Sequence, residues 1–365
     1  MTDDDLSKLI SRIYEAGLDS SLWSSTLHAI GDGLQSEGAA LFPVPDPQAF
    51  RPVWSEGITP LADWALGSRD PIALNNPRAP RALAMRARTR VVTEADVCTP
   101  DELRHHPFNV AMRKLGFMWD VGSVFTEIAG TPLLFSAHRR VNDERFEAAD
   151  KLRLAALLPH LARAVHIGTR IADARLAGML EGFDRTLTGA VVIARGGGVV
   201  RMNAAADALA GSAFRLIGRR LVACDPTARV PLERLVESVA GPLALLHAIH
   251  AAVPLPRLDA RPVAALAMPL QGDARDIFSN AAGLIVLIDP QARRPDGSEI
   301  LQSLYRLTQA ETRIALALAR GRDLQEIADE LGNSVATVRT QLKTVLAKTA
   351  TNRQSQLIAL ISRLI

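Results

Sequence analysis

A chain of 365 residues, 48% hydrophobic and 22% charged, exceeds one average domain and has ample apolar residues for two or three packed cores. Its net charge of +3 hides an asymmetry: residues 301–365 hold nine Lys/Arg against five Asp/Glu, so the rest of the chain is close to neutral. Two distant cysteines, Cys98 and Cys224, exclude a disulfide framework and Zn-ligand spacing, and apolar runs well short of the ~20 residues a membrane helix needs exclude a spanning segment. With an acidic Asp3-Asp4-Asp5 start unlike a signal peptide, the chain reads as soluble and cytoplasmic.

In chain order, Leu6, Leu9, Ile10 and Ile13 recur at helical spacing. Ala39 to Phe42 reads as a short buried strand stopped by Pro43 and Pro45. Val121 to Ile128 and Leu133 to His138 read as two strands turned at Gly130. This order of elements, two helices, a strand, mixed segments and two strands, resembles a GAF-like sensor domain over 1–148. Residues 149–187 then read as one long amphipathic helix with Leu154, Leu157, Leu158, Leu161, Val165 and Ile171 along a side. Pro159 either kinks that helix or starts it, because proline lacks the N–H and clashes with the preceding turn. The helix packs on the first domain, pairs with its copy in a dimer, or does both.

Within 188–292, Ala190 to Ala194 and Val199 to Met202 read as a hairpin around Arg195-Gly196-Gly197-Gly198. Asn203 is placed to cap a helix at Ala204-Ala205-Ala206, and helical patterns run on through residue 250. Val263 to Leu270 and Gly283 to Ile288 complete the strands. The hairpin leading into an Asn-x-x-Ala helix resembles the PAS-like domains of bacterial regulators.

Residues 300–365 carry the most specific pattern. Thr308-x-x-Glu311 is a capping box, Gly321 ends the first helix, Asp323 caps a second, Gly332 turns, and Ser334 caps a third. Ile314, Ala315, Leu318, Ile327, Ala328 and Leu331 form the core faces of the first two helices. In the third, Val338, Leu342, Val345 and Leu346 face inward, leaving Ala336, Arg339, Thr340, Lys343 and Ala347 outward, a small, polar and basic row suited to a major groove. Arg339 and Lys343 are long enough to reach guanine edges or phosphates, and Thr337, Thr340, Gln341 and Thr344 to donate to phosphates. A fourth helix runs from about Arg353 to Leu364.

The residues Leu307, Thr308, Glu311, Gly321, Glu326, Ile327, Ala328, Leu331, Gly332, Ser334, Thr337, Val338, Leu342 and Lys348 strongly resemble the LuxR-type helix-turn-helix, and Arg353-Gln354 with Leu357-Ile358 continue the likeness into the fourth helix. The resemblance implies a transcription regulator that binds double-stranded DNA through Ser334, Thr337, Arg339, Thr340, Gln341, Lys343, Thr344 and Lys348. It also implies a homodimer formed partly by the fourth helix, contact with RNA polymerase, and control by a small-molecule effector or a protein signal at the N-terminal domains. Asn333, Arg339 and Gln341 depart from the commoner aliphatic, Lys and His, so base preference does not carry over. The expected fold is multidomain α+β: two sensor-like domains joined by a long helix, then an all-α four-helix domain. A different class of function, a scaffold whose C-terminal helices bind a protein, is separated from this one by whether DNA of a particular sequence is selected.

No catalytic constellation, metal site or cofactor motif is expected elsewhere. His105-His106 and His138 are the tempting metal candidates but read as exposed loop histidines. The Gly196 to Gly198 run lacks a following Lys-Ser/Thr, so it is not a phosphate loop. Asp3 to Asp5 read as a solvated tail, which disfavours a phosphoacceptor receiver. Trp54, Trp64 and Asp70-Pro71 bring to mind acyl-homoserine-lactone receptors, but the only tyrosines are Tyr14 and Tyr305, so these residues read as core tryptophans and a turn.

Overall fold

The computed structural model describes residues 3–44, 50–67, 71–240, 252–270, 279–292 and 297–364. The chain is mixed α/β, with antiparallel sheets followed by a helical C-terminal region, and its contacts divide it into two compact units, Met1–Pro290 and Gln291–Ile365.

The first unit opens with helices α1 (Asp3–Leu18) and α2 (Trp23–Gly33) and strands β1 (Gly38–Pro43) and β2 (Val53–Trp54). Short helices α3 (Thr59–Gly67), α4 (Pro71–Leu74) and α5 (Arg78–Met85) precede β3 (Val92–Thr93), α6 (Glu94–Val97), α7 (Pro100–His105) and α8 (Pro107–Lys114). A long hairpin of β4 (Phe117–Ile128) and β5 (Thr131–Arg140) turns at Ala129-Gly130, both at positive φ, the geometry whose twist suits a two-residue loop. The five strands pair antiparallel in the order β2-β1-β5-β4-β3.

The pleat sorts the residues of this sheet onto two faces. Leu41, Val121, Phe135 and Ala137 join Ile13, Trp23 and Leu27 of α1 and α2 in one buried core. The alternate positions, Phe42, Asp120, Gly122, Leu134, Ser136 and His138, line a cavity with residues of the short helices. Polar residues alternating along a strand suggest a wet face. Here helices cover that face, so its polar groups are enclosed.

From β5 the chain enters α9 (Ala148–Arg185), a single 38-residue helix that contains Pro159. Its start is fastened by Arg139, whose guanidinium pairs with Asp150 at 3.3 Å, donates to the carbonyls of Leu34 and Gln35 at 2.8 and 2.9 Å, and stacks 3.9 Å from the Phe146 ring. Leu154, Leu157, Leu161 and Val165 of α9 enter the first core. Farther along, Leu176 and Leu180 pack on Ala190, Val192 and Leu284 of a second sheet.

That sheet consists of β6 (Gly189–Ala194), β7 (Val199–Met202), β10 (Val253–Arg257), β11 (Ala260–Pro269) and β12 (Ala281–Ile288), in the antiparallel order β10-β11-β12-β6-β7. Between β7 and β10 lie α10 (Ala204–Asp207), a hairpin of β8 (Phe214–Ile217) and β9 (Arg220–Ala223), and α11 (Arg229–Ala240). Asn203 knots this corner: its Oδ1 accepts from the Ala206 and Ala190 amides at 2.9 and 2.8 Å, and its Nδ2 donates to the Thr188 carbonyl at 2.8 Å. The second unit contains α12 (Ser298–Tyr305), α13 (Gln309–Ala319), α14 (Leu324–Leu331), α15 (Val335–Lys348) and α16 (Gln354–Leu364).

Several expectations need correction. The acidic start is not a tail but belongs to α1, which begins at Asp3: Asp4 and Asp5 lie in its first turn, where the helix dipole favours acids, and Asp4 pairs with Lys8 at 2.5 Å. The stretch after Asn203 is not continuously helical. Gly218 and Arg219, both at positive φ, turn the β8–β9 hairpin there, and 241–250 lie outside the described residues. His138 is not an exposed loop histidine but is buried in β5. His105 is exposed and faces Asp101, while half-buried His106 caps α8. Trp54 and Trp64 are only half-buried, and both line the cavity. Asp70 lies outside the described residues. Among the described residues no group of three potential ligands is arranged around a metal position, and no helix is long and apolar enough to cross a membrane.

Candidate nucleic-acid interface

The second unit is assembled from short-range signals. Thr308 Oγ1 accepts from the Glu311 amide at 3.3 Å while Glu311 Oε2 accepts from the Thr308 amide at 2.7 Å, closing a capping box on α13. Asp323 Oδ1 accepts from the Gln325 and Glu326 amides, both at 2.8 Å, to start α14, and Glu326 closes the box. Ser334 Oγ accepts from the Thr337 amide at 3.1 Å to start α15.

The stops are equally local. Gly321 and Gly332 sit at φ +83 and +64, where glycine avoids the cost of a Cβ. After Gly332 the Asn333 amide donates back to the Ala328 carbonyl at 2.9 Å, so Asn333 enters the turn through its backbone, which any residue supplies. α15 ends the same way around Ala350, at φ +52 despite its Cβ, with Thr351 donating to Leu346 at 2.9 Å.

Ile314, Ala315 and Leu318 of α13, Ile327 and Ala328 of α14, Val338, Leu342 and Val345 of α15, and Leu357 and Ile361 of α16 share one buried cluster. Burying Val338, Leu342 and Val345 turns the opposite face of α15 outward, and Ala336, Arg339, Thr340, Lys343 and Ala347 are all exposed. Within that row Thr340 Oγ1 donates to the Ala336 carbonyl at 3.0 Å and Thr344 Oγ1 to the Thr340 carbonyl at 3.3 Å. These hydroxyls keep lone pairs outward and can turn toward a new acceptor. Among the described residues no side-chain hydrogen bond or ion pair engages Arg339 or Lys343.

The other residues singled out from sequence are placed differently. Ser334 and Thr337 share a hydroxyl–hydroxyl contact of 2.8 Å at the start of α15, which puts a cap and an exposed donor side by side. Gln341 is half-buried, and its Oε1 has no partner among the described residues. Lys348 Nζ donates to Glu311 Oε2 at 2.6 Å and to the Arg306 carbonyl at 3.2 Å, fastening the end of α15 to the start of α13. Burial pushes the Glu311 carboxyl upward, but the bonds from Lys348 and Thr308 outweigh it and hold it below the ordinary Glu range. This bridge spans 37 residues, and α15's own periodicity gives no sign of it.

No family model matches the chain, and no curated protein matches it. Among solved structures it is similar to the phage VqmA–DPO complex, at 16% identity and a TM-score of 0.20 over 51% of this chain and 88% of that one. It is also similar to the E. coli DhaR(N)–DhaL complex, at 16% identity and a TM-score of 0.24 over 79% of this chain and 90% of that one. Likenesses this slight carry no weight for fold or function.

Proposed function

We propose that the chain is a sequence-specific DNA-binding transcription regulator whose α15 enters a major groove. The observation that carries this reading is the exposed row Ala336, Arg339, Thr340, Lys343 and Ala347, with both cations unpaired among the described residues. A strip of small residues permits close approach, and the cations supply reach and charge. At 1.5 Å per residue α15 is roughly 21 Å long, and a groove about 12 Å wide admits a helix. Ser334, Thr337 and Thr344 flank the row where phosphates would pass. Lys348, held by Glu311, acts here by fixing α15 rather than by reaching out.

In this reading 1–148 and 188–292 are GAF-like and PAS-like sensor domains, 149–187 connects them, and 300–365 is a LuxR-type DNA-binding domain. A homodimer presents two copies of α15 to two half-sites, because one short helix yields limited affinity. A small-molecule or protein signal at the sensor domains shifts how the two are presented. The function is binding rather than catalysis.

Selection from random genomic fragments with the full chain is expected to recover a shared sequence. Arg339→Ala is expected to relax preference at one base position at a cost of about 1–3 kcal/mol. Lys343→Ala is expected to lower the salt slope of binding by about 0.9 if it neutralises one phosphate. Recovery of no shared sequence would overturn the reading and make the C-terminal helices a docking face for a protein.

A further inference from the structure

The cavity in the first unit has a volume of about 210 Å³ and mixes aromatic and aliphatic walls with a few polar side chains. Its floor is fixed by strand register. Asp120 of β4 faces His138 of β5, and Gly122 faces Ser136, so three polar side chains and a gap fall on one enclosed patch. The gap is obligatory, since a Cβ on Gly122 would lie 2.7 Å from the Phe135 carbonyl oxygen. The walls are aromatic: Trp54 stacks on Phe42 at 6.0 Å and Trp64 packs on Phe108 at 5.4 Å.

The charges at this site already have partners. The Arg78 guanidinium pairs with the Asp120 carboxylate and donates to Asn109 Oδ1 at 3.0 Å, so the pair adds no net charge. Burial pushes His138 down to about 4, and it is neutral near pH 7. Its Nε2 lies 2.9 Å from Ser136 Oγ.

Two polar atoms are left over. His138 Nδ1 and Trp54 Nε1 are buried without a hydrogen-bond partner among the described residues, and both side chains line the cavity. His138 is 8% exposed and Ser136 4%, so these groups belong to the interior. An orphan buried donor costs about 1–3 kcal/mol, and an indole N–H can only donate. Two such atoms on side chains that line one apolar-walled space leave hydrogen bonds there to be made.

We propose that this cavity binds an uncharged, largely apolar small molecule that carries a carbonyl-type acceptor for Trp54 Nε1–H and a polar group for His138 Nδ1. The flat walls take its apolar body. A charged ligand finds no free counter-ion, because Arg78 and Asp120 satisfy each other. The site would supply the input of the regulator proposed above, but its test uses no DNA, so either can fail while the other stands.

The test uses benzamide, benzoate and ethylbenzene as probes: a neutral amide, its charged isostere, and an apolar body with no polar group. Binding to the full chain is followed by tryptophan fluorescence and calorimetry. Benzamide is expected to saturate the signal and to bind at least about tenfold more tightly than either of the others, roughly the worth of one hydrogen bond to a buried orphan. Trp54→Phe keeps a ring beside Phe42 and removes the donor. With its circular dichroism unchanged, it is expected to lose about tenfold for benzamide and little for ethylbenzene. Benzoate binding as well as benzamide would overturn the proposal, as would benzamide binding unaltered in folded Trp54→Phe. The probe comparison needs no variant, so absence of saturable benzamide binding at millimolar concentration would overturn it as well.

Discussion

The C-terminal helices and the first sheet solve the same problem at different ranges. The starts of α13, α14 and α15 in the second unit are each set within three residues: Thr308 by Glu311, Asp323 by Glu326, Ser334 by Thr337. In the first sheet, β1 pairs with β5 about a hundred residues away, and Arg139 reaches back across 105 residues to the Leu34 carbonyl. Local encoding leaves a signature in spacing. Long-range encoding leaves only residues whose partners must be found in space.

Substitutions can break or sharpen that contrast. The largest effect is expected at Arg139→Ala, which leaves several interior carbonyls without their donor and takes from Asp150 one of two cations, Arg153 remaining at 3.2 Å. Losing these bonds should cost about 3 kcal/mol. Chemical denaturation should show loss of the first unit's transition while the C-terminal helices stay folded, and a common loss of both would erase the distinction between the units.

Next is Glu94, almost fully buried, whose carboxyl is pushed up to about 7 by burial and by Asp120. Between the ordinary Glu range and about 7, the folded chain keeps a proton that the unfolded chain has lost. Stability therefore falls as pH rises through that window. His138 works the opposite way, because the unfolded chain takes up a proton first below the ordinary His range, so acidification costs stability down to about 4. Glu94→Gln should remove the first slope and leave the second. Unfolding titrations should then find the variant about 1–3 kcal/mol more stable at pH 8. An unchanged profile would mean that this carboxyl is not the group responsible.

Smaller effects are expected where encoding is local. Thr308→Ala opens one capping box and should cost about 1 kcal/mol, read as a shift in the second unit's midpoint. Ala350→Gly relieves the left-handed residue after α15 and should gain about 0.5 kcal/mol, glycine's greater unfolded freedom offsetting part of the relief. A loss there would show that the Ala350 side chain has a use beyond the turn.

The same contrast explains what could be read from sequence. Strands β1, β4, β5, β6, β7, β11 and β12 follow from runs of apolar residues with turn residues between them. The starts of α13, α14 and α15 follow from their caps. The short helices α3 to α8 did not stand out, since four to nine residues carry too few turns for a period. Asp120 and Gly122 alternate along β4, and Ser136 and His138 along β5, but the helices that enclose them are remote in sequence. For that reason the sequence alone presents His138 as a surface residue and Trp54 and Trp64 as plain core. Lys348 looked like one more basic residue on a recognition helix because Glu311, which holds it, lies on another helix. The row through Arg339 and Lys343 was legible because it depends on one helix alone. The β8–β9 hairpin is hidden in the sequence because Gly218-Arg219 is a weak turn signal among helix formers.

The helix α9 bears on how the first unit comes apart. Its 38 residues span roughly 57 Å, with one end sunk in the first core and a later stretch on the back of the second sheet. Pro159 lies in the portion that packs on the first core and removes one amide from the ladder, which gives the rod a soft point near its fastened end. Fraying that begins there uncovers Leu154 to Val165 and also withdraws the support on which Leu176 and Leu180 are held. Amide exchange in β4 and β5 and in β6 and β12 should accordingly share one slow opening event.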